Sequence, residues 1–226
     1  MGSVHPEVEL IDALDYLKVR EMPRANPRFI TSDSALRRSM YQNDIVRNEL
    51  EADYVGPAEE FMASLEMEFV ISEAKEEDLK RAEELTVRTN QLNATGRTYD
   101  YEDLVGFLNS DSHLLLICEL KDKYGSYGKI GLALVEIQDE AWHLKLLLMS
   151  CRVISRGVGT VLLSYIMNSA KEAGKRLLSD FKVTDRNRMM YITYKFAGFE
   201  EIAKEEGYVV MENKLSDVQK LSLIHI

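Results

Sequence analysis

The chain has 226 residues, 46% of them apolar and 29% charged, with a formal net charge of −10. These proportions predict a packed globular fold and exclude disordered or collagen-like architecture. The acidity sets nucleic acid and anionic membrane surfaces aside as partners.

All four prolines, Pro6, Pro23, Pro27 and Pro57, fall before residue 66, so residues 1–66 read as a helical connector. Within it, Thr31 to Ser34 supply N-cap candidates for a helix over Ala35–Leu50, whose inner side would carry Leu36, Met40, Ile45 and Val46. A short helix over Pro57–Leu65 follows, with Pro57 suited to its first turn. From residue 67 to about 215 strands and helices alternate. Glu68–Ser72 predicts a strand, and Ala74–Thr89 and Tyr99–Leu108 predict helices. His113–Leu120 and Lys129–Gln138 predict strands joined by a glycine-bearing hairpin, and Trp142–Met149 continues them antiparallel. A helix over Gly159–Ala173, a strand over Arg176–Val183, a helix over Arg188–Ala197 and strands near Glu201–Ala203 and Tyr208–Asn213 complete an α+β (mixed α/β) order. Residues 216–226 are expected to be a non-native or disordered tail, because Leu221–Ile226 resembles a translated sequencing adapter.

Cys118 and Cys151 have no CxxC spacing, and His5, His113, His143 and His225 stand apart, so neither a disulfide framework nor a metal site is expected. No apolar run approaches the roughly 20 residues that span a bilayer, and the first ten residues lack a secretory pattern. A cytoplasmic location is the expectation.

Chemistry is most legible at Ser150–Tyr165, where Gly157 and Gly159 stand between an apolar strand and a helix. Glycines let a ligand approach the backbone, and the first N–H groups of a helix, with its dipole, favour an anion. Val158, Val161, Leu162, Tyr165 and Ile166 would anchor that helix to a sheet. A glycine turn without a ligand reads equally from spacing alone. The P-loop pattern GxxxxGK[ST] is missing, and a dinucleotide GxGxxG would need glycine at Leu162.

The run Arg156–Val161 resembles the [QR]-x-x-G-x-[GA] signature of the GNAT acyltransferase superfamily, departing at Val161. Asn187, Met190, Tyr194, Gly198 and Phe199 follow that superfamily's N-x-x-A-x-x-x-Y-x-x-x-G-F spacing, departing at Met190. The resemblance implies a GNAT-like fold: a central, mostly antiparallel twisted sheet flanked by helices, here preceded by the connector. It implies a thioester of coenzyme A, acetyl-CoA or phosphopantetheine held by Cys151, Arg152, Val153, Arg156, Gly157, Val158, Gly159 and Thr160. Backbone N–H groups near Met149–Cys151 would polarise the carbonyl, Asn187 would line the pantetheine side and Tyr194 would protonate the leaving thiolate.

Residues 30 to 215 also resemble the carboxy-terminal half of FkbH-like proteins of polyketide biosynthesis, through Thr89–Thr95, Tyr124–Gly128, Ser150–Val153, Thr184 with Asn187, and Gly198 with Phe199. That resemblance implies an acyl carrier protein or a small-molecule acceptor as partner. It also implies an upstream HAD-like domain, whose DxDxT motif is missing here; His5–Asp12 resembles such a domain's closing strand, so the chain reads as a fragment.

Cys151, beside Arg152, is a candidate acyl-accepting nucleophile or a packed strand-end thiol. Asn90, Gln91, Asn93 and Arg97 are candidate acceptor-binding residues or a solvated turn. Tyr194 reads either as the acid or as a core tyrosine, and His143 as a base or a structural residue.

Overall fold

The computed structural model describes residues 11–22, 25, 27–205, 207–216 and 218. Most of the expected strand at His5–Asp12, and the final six residues, lie outside them. Ile11 and Asp12 instead precede a 3-10 helix, Ala13–Glu21, which starts where the Asp12 carboxylate accepts the Leu14 N–H.

The described helices are α1 (Ser32–Asp53), α2 (Ala58–Ser64), α3 (Leu79–Arg88), α4 (Tyr101–Leu108), α5 (Val158–Glu172) and α6 (Arg188–Phe196). The strands are β1 (Glu68–Glu73), β2 (His113–Asp122), β3 (Gly125–Ile137), β4 (Ala141–Met149), β5 (Arg176–Phe181), β6 (Phe199–Glu205) and β7 (Tyr208–Asn213). They form one sheet in the order β1-β2-β3-β4-β5-β7-β6, antiparallel throughout except where β4 meets β5.

Successive side chains on a strand point to opposite faces, so a strand covered on both sides is apolar without interruption. β4 is such a strand: Leu147 and Met149 pack with Leu162 and Ile166 of α5, while Leu146 and Leu148 pack with Leu79 and Leu85 of α3. The sheet thus lies between the pair α5 and α6 and the pair α3 and α4. A bulge opposite Leu134 and Val135 leaves Lys145 of β4 without a cross-strand partner on β3.

Helix α1 is the largest departure from expectation. Thr31 caps it, its hydroxyl accepting the Ser34 N–H while the Ser34 hydroxyl accepts the Thr31 N–H. The inner side, however, carries Asp33, Met40 and Arg47, a seven-residue spacing, while Leu36, Ile45 and Val46 are exposed. Polar groups can face inward here because each finds a partner. Asp33 accepts the Lys129 N–H at 2.9 Å, and Arg47 binds Asp122 through two N–H donors at 2.7 and 2.8 Å. Arg47 also stacks 3.8 Å from the Tyr127 ring centre. Asp122 in turn accepts the N–H groups of Tyr124 and Gly125 and the Tyr127 hydroxyl, so the β2–β3 hairpin and α1 share one buried carboxylate. Burial would raise the Asp122 pKa, but these donors outweigh it and hold it below the usual carboxylate range.

What matters for a site is where β4 and β5 part. They pair only from Ala141 with Arg176 to Leu144 with Ser179, and the rest of β4 runs on to Met149. The stretch Leu92–Ala94, between α3 and α4, occupies the gap. Met149 N–H donates to Leu92 O at 2.9 Å and Ala94 N–H to Leu147 O at 3.0 Å, while Lys182 N–H donates to Ala94 O at 3.0 Å.

Candidate functional site

Two cavities flank this gap. A pocket of about 100 Å³ lies on the α5 and α6 side, with Leu147, Met149, Val153, Gly157, Gly159, Thr160 and Met190 among its lining residues. A cleft of about 610 Å³ lies on the α1 and α3 side, floored by Asn90, Gln91, Ser150 and Cys151. Leu92 lines both cavities and stands between them.

The pocket is built around the turn into α5. Gly157 takes φ +71°, a left-handed conformation that glycine adopts at little cost, and it ends the 3-10 helix Cys151–Arg156. A Cβ added at Gly157 or Gly159 would meet nothing within 4 Å, so a group of some size can lie against this backbone. The phosphate end of coenzyme A fits that opening and the helix start behind it. Its pantetheine arm, which needs an amide-pairing strand edge, meets one already taken by Leu92 and Ala94. Of the thioester-polarising N–H groups expected near Met149–Cys151, two are committed elsewhere: Met149 N–H serves Leu92 O and Ser150 N–H serves Ile130 O at 2.6 Å.

The residues expected to hold the thioester divide by location. Val153, Gly157, Gly159 and Thr160 line the pocket, and Val158 is buried in the core beside it. Cys151 and Arg152 face the cleft instead. Arg156 points away from both, its guanidinium 3.1 Å from Glu51 of α1 and in contact with the Met62 sulfur, with its Nε lacking a hydrogen-bond partner among the described residues. Asn187 is buried and acts on the gap-filling stretch. Its amide nitrogen lies 3.1 Å from Asn93 O, 3.3 Å from Ala94 O and 2.8 Å from Lys182 O, and its oxygen accepts the Thr184 N–H.

Tyr194 sits in the core. Its hydroxyl accepts from Ser179 at 3.1 Å and its ring lies between Phe181 and Phe199, with centres 5.7 and 4.9 Å away. Complete burial pushes its pKa up. In this structure the hydroxyl meets Ser179, and Tyr194 lines neither cavity.

The acceptor-side residues also divide. Asn90 and Gln91 line the cleft, whereas Asn93 shapes the loop, its oxygen accepting the N–H groups of Thr95 and Gly96. Arg97 is committed to Asp180 at 3.2 Å and to the Tyr208 hydroxyl at 3.2 Å. Asp180 is also bound by His143 at 2.7 Å and by Lys145, the bulge residue, at 2.8 Å. Burial alone would raise the Asp180 pKa, but the hydrogen bonds from His143 and Lys145 prevail and hold it at about 2.

The feature missed in the sequence is the charge of the cleft. Arg37, Arg81, Arg88, Arg152 and Arg186 all line it. Glu84, buried beneath, binds the first three at 2.6, 2.7 and 3.0 Å, and Asp33 binds Arg81 at 3.0 Å. Burial and the nearby Arg81 lower the pKa of Arg152. Scattered over separate segments, these arginines form no sequence motif.

No family model and no curated protein matches the sequence. Solved structures do match the fold. The ribosomal-protein-S18-alanine N-acetyltransferase of Escherichia coli aligns at TM-score 0.51 and 15% identity, over 70% of this chain and 99% of that one. A PaiA N-acetyltransferase of Thermoplasma acidophilum, solved with coenzyme A, aligns at 0.51 and 17%, over 65% and 98%. A domain from Methanocaldococcus jannaschii aligns at 0.53 and 14%, over 65% and 98%. The chain has the GNAT fold, a mixed α+β architecture with a seven-stranded sheet flanked by helices. Among the described residues no group of acidic, histidine or cysteine side chains forms a metal site, and no helix is long and apolar enough to cross a membrane.

Proposed function

We propose that the chain is a GNAT-type acyltransferase, moving an acyl group from a thioester of coenzyme A, such as acetyl-CoA, or of a carrier-protein phosphopantetheine to an acceptor. One observation carries the reading: β4 parts from β5 next to the open backbone at Gly157 and Gly159, with a cavity on each face of the sheet. A bound thioester supplies an activated carbonyl and a thiolate that can leave. The first turn of α5 would hold a phosphate through the N–H groups of Val158 and Gly159, the Thr160 N–H being bonded to Gly157 O at 3.1 Å. On the opposite face Asn90 and Gln91 would orient the acceptor, and Cys151 is the nucleophile available for a covalent acyl intermediate. Leu92–Ala94 must leave β4 before an extended arm can pair with Leu147 and Met149.

Calorimetry with acetyl-CoA and with a holo carrier protein tests this, followed by intact-mass measurement of transferred acyl groups. The expected result is binding of at least one donor, lost in Gly159→Val; binding of neither ends the proposal.

The hydrogen-bonded Leu92–Ala94 stretch supports a second reading. In it the chain docks a carrier protein for a separate HAD-like domain of an FkbH-like, polyketide-type system and performs no chemistry. Tight carrier-protein binding without acyl transfer would select it.

A further inference from the structure

The cleft on the α1 and α3 face is a charge anomaly in a chain whose formal net charge is −10. Five guanidiniums meet there, and the two carboxylates among them, Asp33 and Glu84, are already shared among Arg37, Arg81 and Arg88. Arg152 and Arg186 have no carboxylate partner among the described residues. Arg152 is held in place from behind, donating to Tyr127 O at 2.9 Å and contacting the Met40 sulfur, while Arg186 is exposed on the loop before α6. Guanidiniums without an ion-pair partner that converge on a cavity repel one another, and their planar donor forks suit phosphate or carboxylate oxygens. Asn90 and Gln91 add neutral donors on the same wall.

We propose that this cleft binds the anionic end of the acceptor, a phosphate monoester or a comparable dianion, with Arg152 and Arg186 as its principal contacts. This rests on the acyltransferase reading for the word acceptor; the anion site itself stands on the cleft. The site faces away from the Gly157–Gly159 turn, across Leu92, so donor phosphate and acceptor anion have separate places.

The test is calorimetry with inorganic pyrophosphate at low salt, on the wild type and on Arg152→Gln, Arg186→Gln and Gly159→Val. The expected result is a site that weakens at least tenfold in each arginine variant and persists in Gly159→Val, distinct from any binding at the α5 turn that Gly159→Val removes. Because Arg152 also supports Tyr127, exposed Arg186 is the variant whose folding is not at issue. Pyrophosphate that fails to bind the wild type, binds Arg186→Gln equally well, or is lost only in Gly159→Val overturns the anion site. Coenzyme A titrated in parallel separates the two claims: binding of coenzyme A without pyrophosphate removes the cleft and leaves the acyltransferase. If Arg186→Gln weakens coenzyme A as much as pyrophosphate, the anion belongs to the donor, and the acceptor assignment is overturned.

Discussion

The Leu92 carbonyl accepts the Met149 N–H at 2.9 Å, so a loop residue completes the β4 edge where β5 has turned away. Besides its backbone bonds to β4 and to Lys182, the loop is held by Asn187, whose amide reaches Asn93 O and Ala94 O. Asn187→Ala should therefore speed amide exchange at Met149 and Ala94 at least tenfold. Ser150, which donates to Ile130 O on β3, should exchange as before. Unchanged protection at Met149 would show that another contact seats the loop.

The Asp180 cluster predicts a pH dependence with a definite sign. Its pKa is depressed from an ordinary 3.8 to about 2, so its contribution to stability is complete above pH 4 and is lost as pH falls from about 4 to 2. Asp180→Asn should cost about 2 kcal/mol at pH 7, with a shallower decline in acid. Urea unfolding at pH 7 and pH 3 measures both; parallel pH profiles for the two proteins would refute the assignment.

The two thiols should differ sharply. Cys118 is buried and its pKa is pushed up by that burial, whereas Cys151 is exposed beside the arginine cleft. An anionic disulfide reagent should label one thiol per native chain and two after unfolding. Arg186→Gln should slow the native reaction, with salt reducing the difference. Labelling of both thiols in the native state would contradict the described packing.

Arg47 and Asp122 form a buried pair, and removing one partner leaves an uncompensated charge. Arg47→Ala should destabilise by about 3 to 5 kcal/mol, and Arg47→Met combined with Asp122→Leu should recover little of that loss, because the Tyr124 and Gly125 N–H groups and the Tyr127 hydroxyl lose their acceptor with Asp122. Thermal denaturation of the three proteins decides the point.

Much of this was legible in the sequence where the pattern is repetitive and apolar. The run Leu146–Met149 announces a strand covered on both faces, and the glycines at 157 and 159 announce the turn into α5. Helix α1 misled because its apolar residues imply an inner side that polar partners on β2 and β3 displaced; Asp122 lies 75 positions from Arg47. Asn187 and Tyr194 stand out through a resemblance to a family signature, but such a resemblance does not say whether an amide faces a ligand or a neighbouring carbonyl. The arginine cleft is a product of folding alone, since no short window contains it.

Helix α1 also bears on where this domain begins. A version starting at Met67 would keep all seven strands, yet it would lose Asp33, Arg37, Met40 and Tyr41 from one side of the cleft. It would also leave Asp122 facing a hole where a guanidinium had been. The smallest piece that holds both its acidic hairpin and its arginine wall together is longer than the sheet, and helix α1 is part of it.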